Sequence, residues 1–529
     1  MDHNATPPHI SGPSWVVSKR SVVTTRGVVA AQHRLAAEAG ARILAQGGNA
    51  VDAAIAAALA VGVVEPWLSG IGGGGFMVVR TAKDNRVHAV DFGIMAPRRL
   101  DPSRYALVGG QDLDWFQWPK VIEDRNLLGY DSIGVPGAIA GFALAAEKFG
   151  RMAWRDLILP AAALAEAGLP VDWYASLCIA IDCAGLEPFP ASRAVYLPDG
   201  RAPVTRERSA EQRLLNPALS RTLRRLAEAG PRDFYEGEIA RSLVADLVAG
   251  GSVVDAQDLA IYSARLVTPA TLDYRGTTLH AMPGLSGGPT YLMALAALAA
   301  RPPARRLDAE LVVAQAQAIA AAYTTRLATY GHAGITNDPG CTSHVSVIDA
   351  EGNMVALTNT LLSRFGSKVT LPETGILMNN GMMWFDPRPG RPNAIAAGKR
   401  PLANMSPVVA TRAKVPVFAM GAAGGRQIVP ALVQLTSFLL DLGLPLEEAF
   451  HVPRLDASTA TILCNARMPA DHVAALSRHC PTARVEDTVY PVQFAVPNAV
   501  QHDPQSGQNS GMVHVTTPWP TAIAEDSVS

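Results

Sequence analysis

The run Cys341-Thr342-Ser343-His344-Val345-Ser346-Val347-Ile348-Asp349 puts a threonine at the head of a period-two pattern, behind a hydrophilic loop from Gly331 to Gly340. A hydroxyl is a weak nucleophile until a base takes its proton. If the Cys341–Thr342 bond were cut, Thr342 would carry a hydroxyl and a free α-amine together. A terminal amine, with an ordinary pKa of about 7.7–8.0, can be neutral at working pH and serve as that base. Taken alone, the same residues also describe an ordinary strand entered from a surface loop. Gly424-Gly425 follows a strand pattern and precedes a helical one. Two successive N–H groups at a helix start suit an anion or a developing oxyanion, and glycine lets a substrate approach. Thr360 lies on the second strand of a hairpin that returns it towards Thr342, where its hydroxyl could orient the nucleophile. His344 shares a strand face with Thr342, roughly 6–7 Å along the backbone, and reads as a histidine packed beside the site.

These groups need elements to hold them. Asp349-Ala350-Glu351-Gly352-Asn353 is a turn between strands at His344 to Ile348 and Met354 to Leu361. Strands are also expected at Phe76 to Thr81, Val87 to Phe92, Val408 to Thr411 and Val415 to Met420, with a helix from Arg426 to Leu440. The first half reads as helix-rich: Ala31 to Gln46, then an alanine-rich buried helix capped by Asn49, then helical patterns from Trp154 to about Leu298. Gly72-Gly73-Gly74-Gly75 lacks the Lys-Ser/Thr follower of a phosphate loop and precedes a strand, so close backbone packing explains it better. The last 25 or so residues are polar, and partial disorder is expected there.

The chain has 529 residues, 49% of them hydrophobic and 17% charged, which allows a large core. A net charge of −1 without a basic stripe argues against nucleic acid. Five scattered cysteines and twelve histidines show no metal-ligand spacing. No metal, cofactor or disulfide framework is expected. Met1 to Val23 lacks a secretory apolar core and no apolar run is long enough to span a bilayer, so a cytoplasmic protein is the expectation.

Gly47-Gly48-Asn49-Ala50-Val51-Asp52-Ala53-Ala54, Glu65-Pro66 and Gly70-Ile71-Gly72-Gly73-Gly74-Gly75-Phe76 together resemble the signature region of the γ-glutamyltranspeptidase family. The resemblance continues at Val135-Pro136-Gly137, Thr342 to Asp349, Gly375 to Asn380, Lys399 to Leu402, Met405-Ser406-Pro407 and Gly424-Gly425, in order over most of the chain. It implies an α+β fold, the four-layer αββα sandwich of the N-terminal-nucleophile hydrolases. It also implies a precursor that cuts itself between Cys341 and Thr342. Residues 1–341 would form a large subunit and 342–529 a small one, held as a heterodimer in one αββα unit, with any higher oligomer left open. Thr342 matches the nucleophile, Thr360 its supporting threonine, and Gly424 and Gly425 the oxyanion donors.

Departures from the family pattern concern substrate recognition. Gly93 stands where an arginine would hold a γ-glutamyl α-carboxylate, Ala403-Asn404 replaces a serine pair, Trp384 replaces an ammonium-binding aspartate, and Leu362 replaces an asparagine. The expected substrate is therefore a small amide or acyl compound without the glutamyl α-amino-acid head, contacted by Trp384, Phe385, Asn404 and Arg426. The Met383 to Gly390 run is similar to cephalosporin or glutaryl acylase branches. The alternatives are a genuine γ-glutamyltransferase with contacts rebuilt from Arg98, Arg364 or Arg426, and an unprocessed, inactive family member.

Overall fold

The computed structural model describes residues 18–111, 118–332, 343–490 and 492–528. Cys341, Thr342 and most of the loop before them lie outside the described residues, as does the chain before Ser18.

In chain order, the strands of the two main sheets are β1 (Val22–Thr24), β2 (Val28–Ala31), β3 (Gly74–Thr81), β4 (Arg86–Phe92), β5 (Arg265–Val267), β6 (Ala270–Tyr274), β7 (Thr277–Ala281), β8 (Ser343–Ile348), β9 (Met354–Thr360), β10 (Val408–Arg412), β11 (Val415–Ala423), β12 (Val496–Asp503), β13 (Gln508–Val513) and β14 (Thr521–Ala524). One seven-stranded sheet has the order β14-β2-β8-β9-β3-β4-β5, the other β1-β13-β12-β11-β10-β7-β6. Neighbouring strands in both are antiparallel. Each sheet takes strands from both sides of residue 342.

Period-two alternation sorts the side chains into layers. Val345 and Val347 of β8 and Val355 and Leu357 of β9 join a core with α1 (Arg34–Ala45), α2 (Ala50–Val64), α3 (Ala138–Phe149) and α4 (Trp154–Ala167). Ile348, Met354 and Ala356 point the other way, meeting Val409, Ala419 and Val500 of the second sheet. The far face of that sheet packs on α5 (Gly288–Ala299), α6 (Ala309–Thr329) and α7 (Ile428–Leu440). Helices, sheet, sheet, helices is the expected αββα order. No helix among the described residues is long and apolar enough to cross a membrane.

Local chemistry explains the elements nearest the site. The Asn49 side chain accepts from Val51 N and Asp52 N, and Asp52 accepts in return from Asn49 N, a capping box that starts α2. The turn joining β8 and β9 closes on Asp349, whose Oδ1 accepts from Glu351 N and Asn353 N.

Several expectations need correction. The region between Trp154 and Leu298 is not helical throughout, because β5, β6 and β7 run from Arg265 to Ala281. The helix expected from Ala31 begins at Arg34, and Val28–Ala31 is a fully buried strand. The chain end is built into both sheets: β13 lies between β1 and β12, β14 forms the edge of the other sheet, and Glu525 Oε2 accepts from Gly27 N at 2.9 Å. Sheet partners supply the burial that its polar composition does not advertise.

Candidate functional site

β8 begins at Ser343, which pairs with Asn359, and Thr360 follows as the last residue of β9, opposite Gly74. Thr360 is fully buried, and its Oγ1 accepts from Leu362 N at 2.8 Å. A Cβ on Gly73 would fall 2.0 Å from the Thr360 carbonyl oxygen. The glycine run thus backs the threonine by direct main-chain contact, the close packing expected of it. Leu362, at φ 86°, occupies the left-handed region that leucine rarely adopts.

The second sheet meets β8 at the same end. The His344 ring faces Gly421 of β11, where a Cβ would stand 2.3 Å from the imidazole. Asn498 of β12, paired with Gly421, donates its amide to the His344 carbonyl at 2.7 Å and accepts at its own carbonyl from Ser346 Oγ at 3.3 Å. β11 ends at Ala423, Gly424 follows, and a single 3-10 turn over Gly425–Gln427 leads into α7. The helix proper therefore starts at Ile428, two residues later than expected. Gly424 has φ 130°, and a Cβ there would lie 2.7 Å from Ala495 Cα. The turn is accordingly restricted to glycine. Asn498 was invisible in the sequence: nothing local separates it from any asparagine in a strand.

His344 is a packed histidine. Its Nδ1 lies 2.9 Å from Thr358 Oγ1 and its Nε2 3.0 Å from Ser346 Oγ, and burial drives its pKa down to about 3. The unfolded chain takes up this proton near pH 6.5, whereas the folded chain resists until about pH 3. The stability is full above pH 6.5 and falls below it by about 1.4 kcal/mol per pH unit. His344→Gln should flatten the loss of unfolding free energy between pH 6 and 4 by about that slope, read by urea unfolding. An unchanged slope would contradict the assignment.

The expected recognition residues separate. Trp384 is 1% exposed and belongs to the inter-sheet core with Leu362, Ala403 and Met405. Among the described residues its indole N–H has no partner. Phe385 instead joins Met382, Ala96 and Tyr105 in a different cluster, so the structure does not bring the two aromatic rings together. Asn404 is fully buried; its Oδ1 accepts from Arg326 at 3.1 Å, which fixes the amide so that its NH2 group points elsewhere, unpartnered among the described residues. Arg326, a residue the sequence reading passed over, also donates to Thr290 Oγ1 and the Ala403 carbonyl. Arg426, directly after Gly425, keeps a buried Nε without a partner among the described residues; burial pushes the nearby Asp456 carboxyl above its ordinary range, which the Arg426 charge only partly opposes. Arg98 is engaged by Asp258 and Asp255, and Arg364 by Asp182. The Gly93 carbonyl accepts from Tyr262 at 2.7 Å.

The sequence profile described as gamma-glutamyltranspeptidase matches residues 36–328 and 303–515. The chain is 33% identical over 490 residues to the acylase ACY 1 proenzyme of Pseudomonas sp. (strain SE83), covering 85% of this chain and 86% of that protein. It is 30% identical over 485 residues to the glutathione hydrolase proenzyme of Escherichia coli (strain K12), covering 81% and 80%. The crystal structure of cephalosporin acylase from Bacillus halodurans superposes with a TM-score of 0.85 at 25% identity, covering 98% of this chain and 99% of that one.

Proposed function

Because the chain belongs to the γ-glutamyltranspeptidase family of amide hydrolases and acyltransferases, we propose that it is a self-processing amide hydrolase whose nucleophile is Thr342, acting on an acyl group without a glutamyl α-amino-acid head. The observation that carries this reading is the meeting of the head of β8 with the Gly424-Gly425 end of β11, tied together through His344, Gly421 and Asn498. Nucleophile and oxyanion donors must converge from different sheets, and this contact is where they would.

The Thr342 amine takes the proton of its own hydroxyl as the oxygen attacks the substrate carbonyl. The Gly424 and Gly425 N–H groups stabilise the tetrahedral oxyanion. The protonated amine then gives its proton to the leaving nitrogen, the carbon–nitrogen bond breaks, and an ester to Thr342 remains. Water, deprotonated by the same amine, releases the acid. Thr360 orients the hydroxyl. Cleavage before Thr342 would leave chains of residues 1–341 and 342–529, and strands from both complete each sheet, which favours a lasting heterodimer. The similarity to proteins named as proenzymes agrees with such processing.

The substrate class rests on charge. Arg98 and Arg364 are occupied by internal carboxylates, and Gly93 offers no cation. Near the turn, Arg426 keeps its Nε without a partner among the described residues, and the buried Trp384 indole and Asn404 amide are further N–H donors without one. Charge-assisted hydrogen bonds contribute about 1.5–3 kcal/mol each, so losing two leaves a γ-glutamyl head about 10²–10⁴-fold disfavoured. The expected result is a kcat/KM for a glutaryl anilide at least about 100-fold above that for the γ-glutamyl anilide. Equal values, with transfer to a dipeptide acceptor, would instead identify a genuine γ-glutamyltransferase.

A further inference from the structure

α7 carries a proline, Pro430, as its third residue. A helix ordinarily supplies the carbonyl of one residue with the N–H of the residue four further on, and proline has no N–H to give. The Arg426 carbonyl, directly after Gly424-Gly425, is therefore denied its regular donor. The Tyr323 hydroxyl on α6 donates to it instead. The α6 threonines Thr324, Thr325 and Thr329 bond back to carbonyls of their own helix, whereas Tyr323, which is buried, reaches outward.

The Tyr323 ring is itself held. One helical turn on, the Arg326 guanidinium carbon lies 5.7 Å from the ring centroid. Arg326 is fully buried and donates to Thr290 Oγ1 on α5, to the Ala403 carbonyl at 3.3 Å and to Asn404 Oδ1 at 3.1 Å. A buried cation is costly unless its hydrogen bonds are met. These contacts lock Arg326, and Arg326 in turn locks the phenol.

The turn that Tyr323 grips is soft. Gly424 and Gly425 have φ of 130° and 57°, and within the turn Gln427 N donates to the Gly424 carbonyl at 3.1 Å. Successive glycines leave wide torsional freedom, which an anchor on the exit carbonyl restricts. α6 precedes the proposed cut and the turn follows it, so this bond would join the two chains of the processed enzyme.

We propose that Tyr323 is a positioning residue that aims the Gly424 and Gly425 N–H groups by holding the Arg426 carbonyl. This rests on Gly424-Gly425 being the oxyanion donors. Such donors help only when aimed at the place where charge develops, so the effect falls on kcat and spares substrate binding.

The test uses the full, processed chain and the acyl anilide it turns over best. Gly424→Ala is measured first, and an undiminished kcat there overturns the oxyanion reading and this proposal with it. Given that loss, Tyr323→Phe, which keeps the ring and removes one oxygen, should lower kcat at least about 10-fold and leave KM within about 2-fold. In the Gly424→Ala background the same substitution should cost less than about 2-fold, because both act on one turn. Pro430→Ala restores an N–H four residues beyond Arg426. Alone it should leave kcat within about 2-fold, and added to Tyr323→Phe it should recover most of the lost kcat. A tyrosine that only packs against the turn would change the melting temperature and give none of this pattern. Normal kcat in Tyr323→Phe, a loss just as large in the Gly424→Ala background, or no recovery on adding Pro430→Ala would each overturn the proposal. If Gly424→Ala does not fold, the recovery by Pro430→Ala decides alone.

Discussion

Replacing Thr342 with alanine is expected to give a single chain near 55.7 kDa that neither splits nor turns over substrate. The substitution removes the attacking oxygen and leaves the backbone otherwise intact. In the proposed mechanism self-cleavage and substrate attack use that same oxygen, so both should stop together. Removing a covalent nucleophile costs on the order of 10⁶ in kcat, which places residual turnover below ordinary detection. A denaturing gel and an anilide assay read the two effects in one preparation. Two fragments in the alanine variant, or turnover within about 10-fold of the parent, would remove Thr342 from its role.

The second large effect is expected at the end of β11. Gly424→Ala must place a Cβ 2.7 Å from Ala495 Cα on a backbone with φ 130°. Strained positions of this kind cost about 1–3 kcal/mol, and the turn relieves the strain by rotating its N–H groups. Loss of one oxyanion donor reduces kcat by about 10²–10³. The expected outcome is a folded protein with a slightly lowered melting temperature and a kcat at least about 100-fold down. If the melting temperature falls and kcat does not, the Gly424-Gly425 turn is a structural bend and the oxyanion donors lie elsewhere.

How much of this was legible depends on whether the determining contact is local. The turn from Asp349 to Asn353 was readable because its hydrogen bonds close within four residues on Asp349. The start of α2 was readable because Asn49 caps its own helix. The β6–β7 hairpin was missed although its signal is present. Burial alternates along Thr277–Ala281, and the turn between the strands uses Arg275 and Gly276 at φ 54° and 74°. Apolar helical patterns on either side masked that alternation. β2 was absorbed into the helix that follows it, because four apolar residues before an alanine-rich segment suit either element. The C-terminal strands were missed because β1 and β2, which pair with β13 and β14, lie far away in the chain, although β12 and β13 form a local hairpin across Asp503 and Gln508.

The same distinction applies to the site. Gly424-Gly425 and Thr360 are candidates by residue type and local pattern, and only the family resemblance turns that pattern into a proposed role. Asn498 and Arg326 are not, because each matters only through a partner brought to it by the tertiary fold: His344 and Asn404 respectively. The separation of Trp384 from Phe385 was equally hidden. Adjacent residues in a 3-10 turn and its exit send their side chains to different clusters, and composition alone made them look like one wall.

N-terminal sequencing of the lighter fragment from active enzyme tests the central claim most directly. The account predicts Thr-Ser-His-Val, the residues from Thr342 onward. A different first residue, or activity in material that contains no lighter fragment, would contradict it.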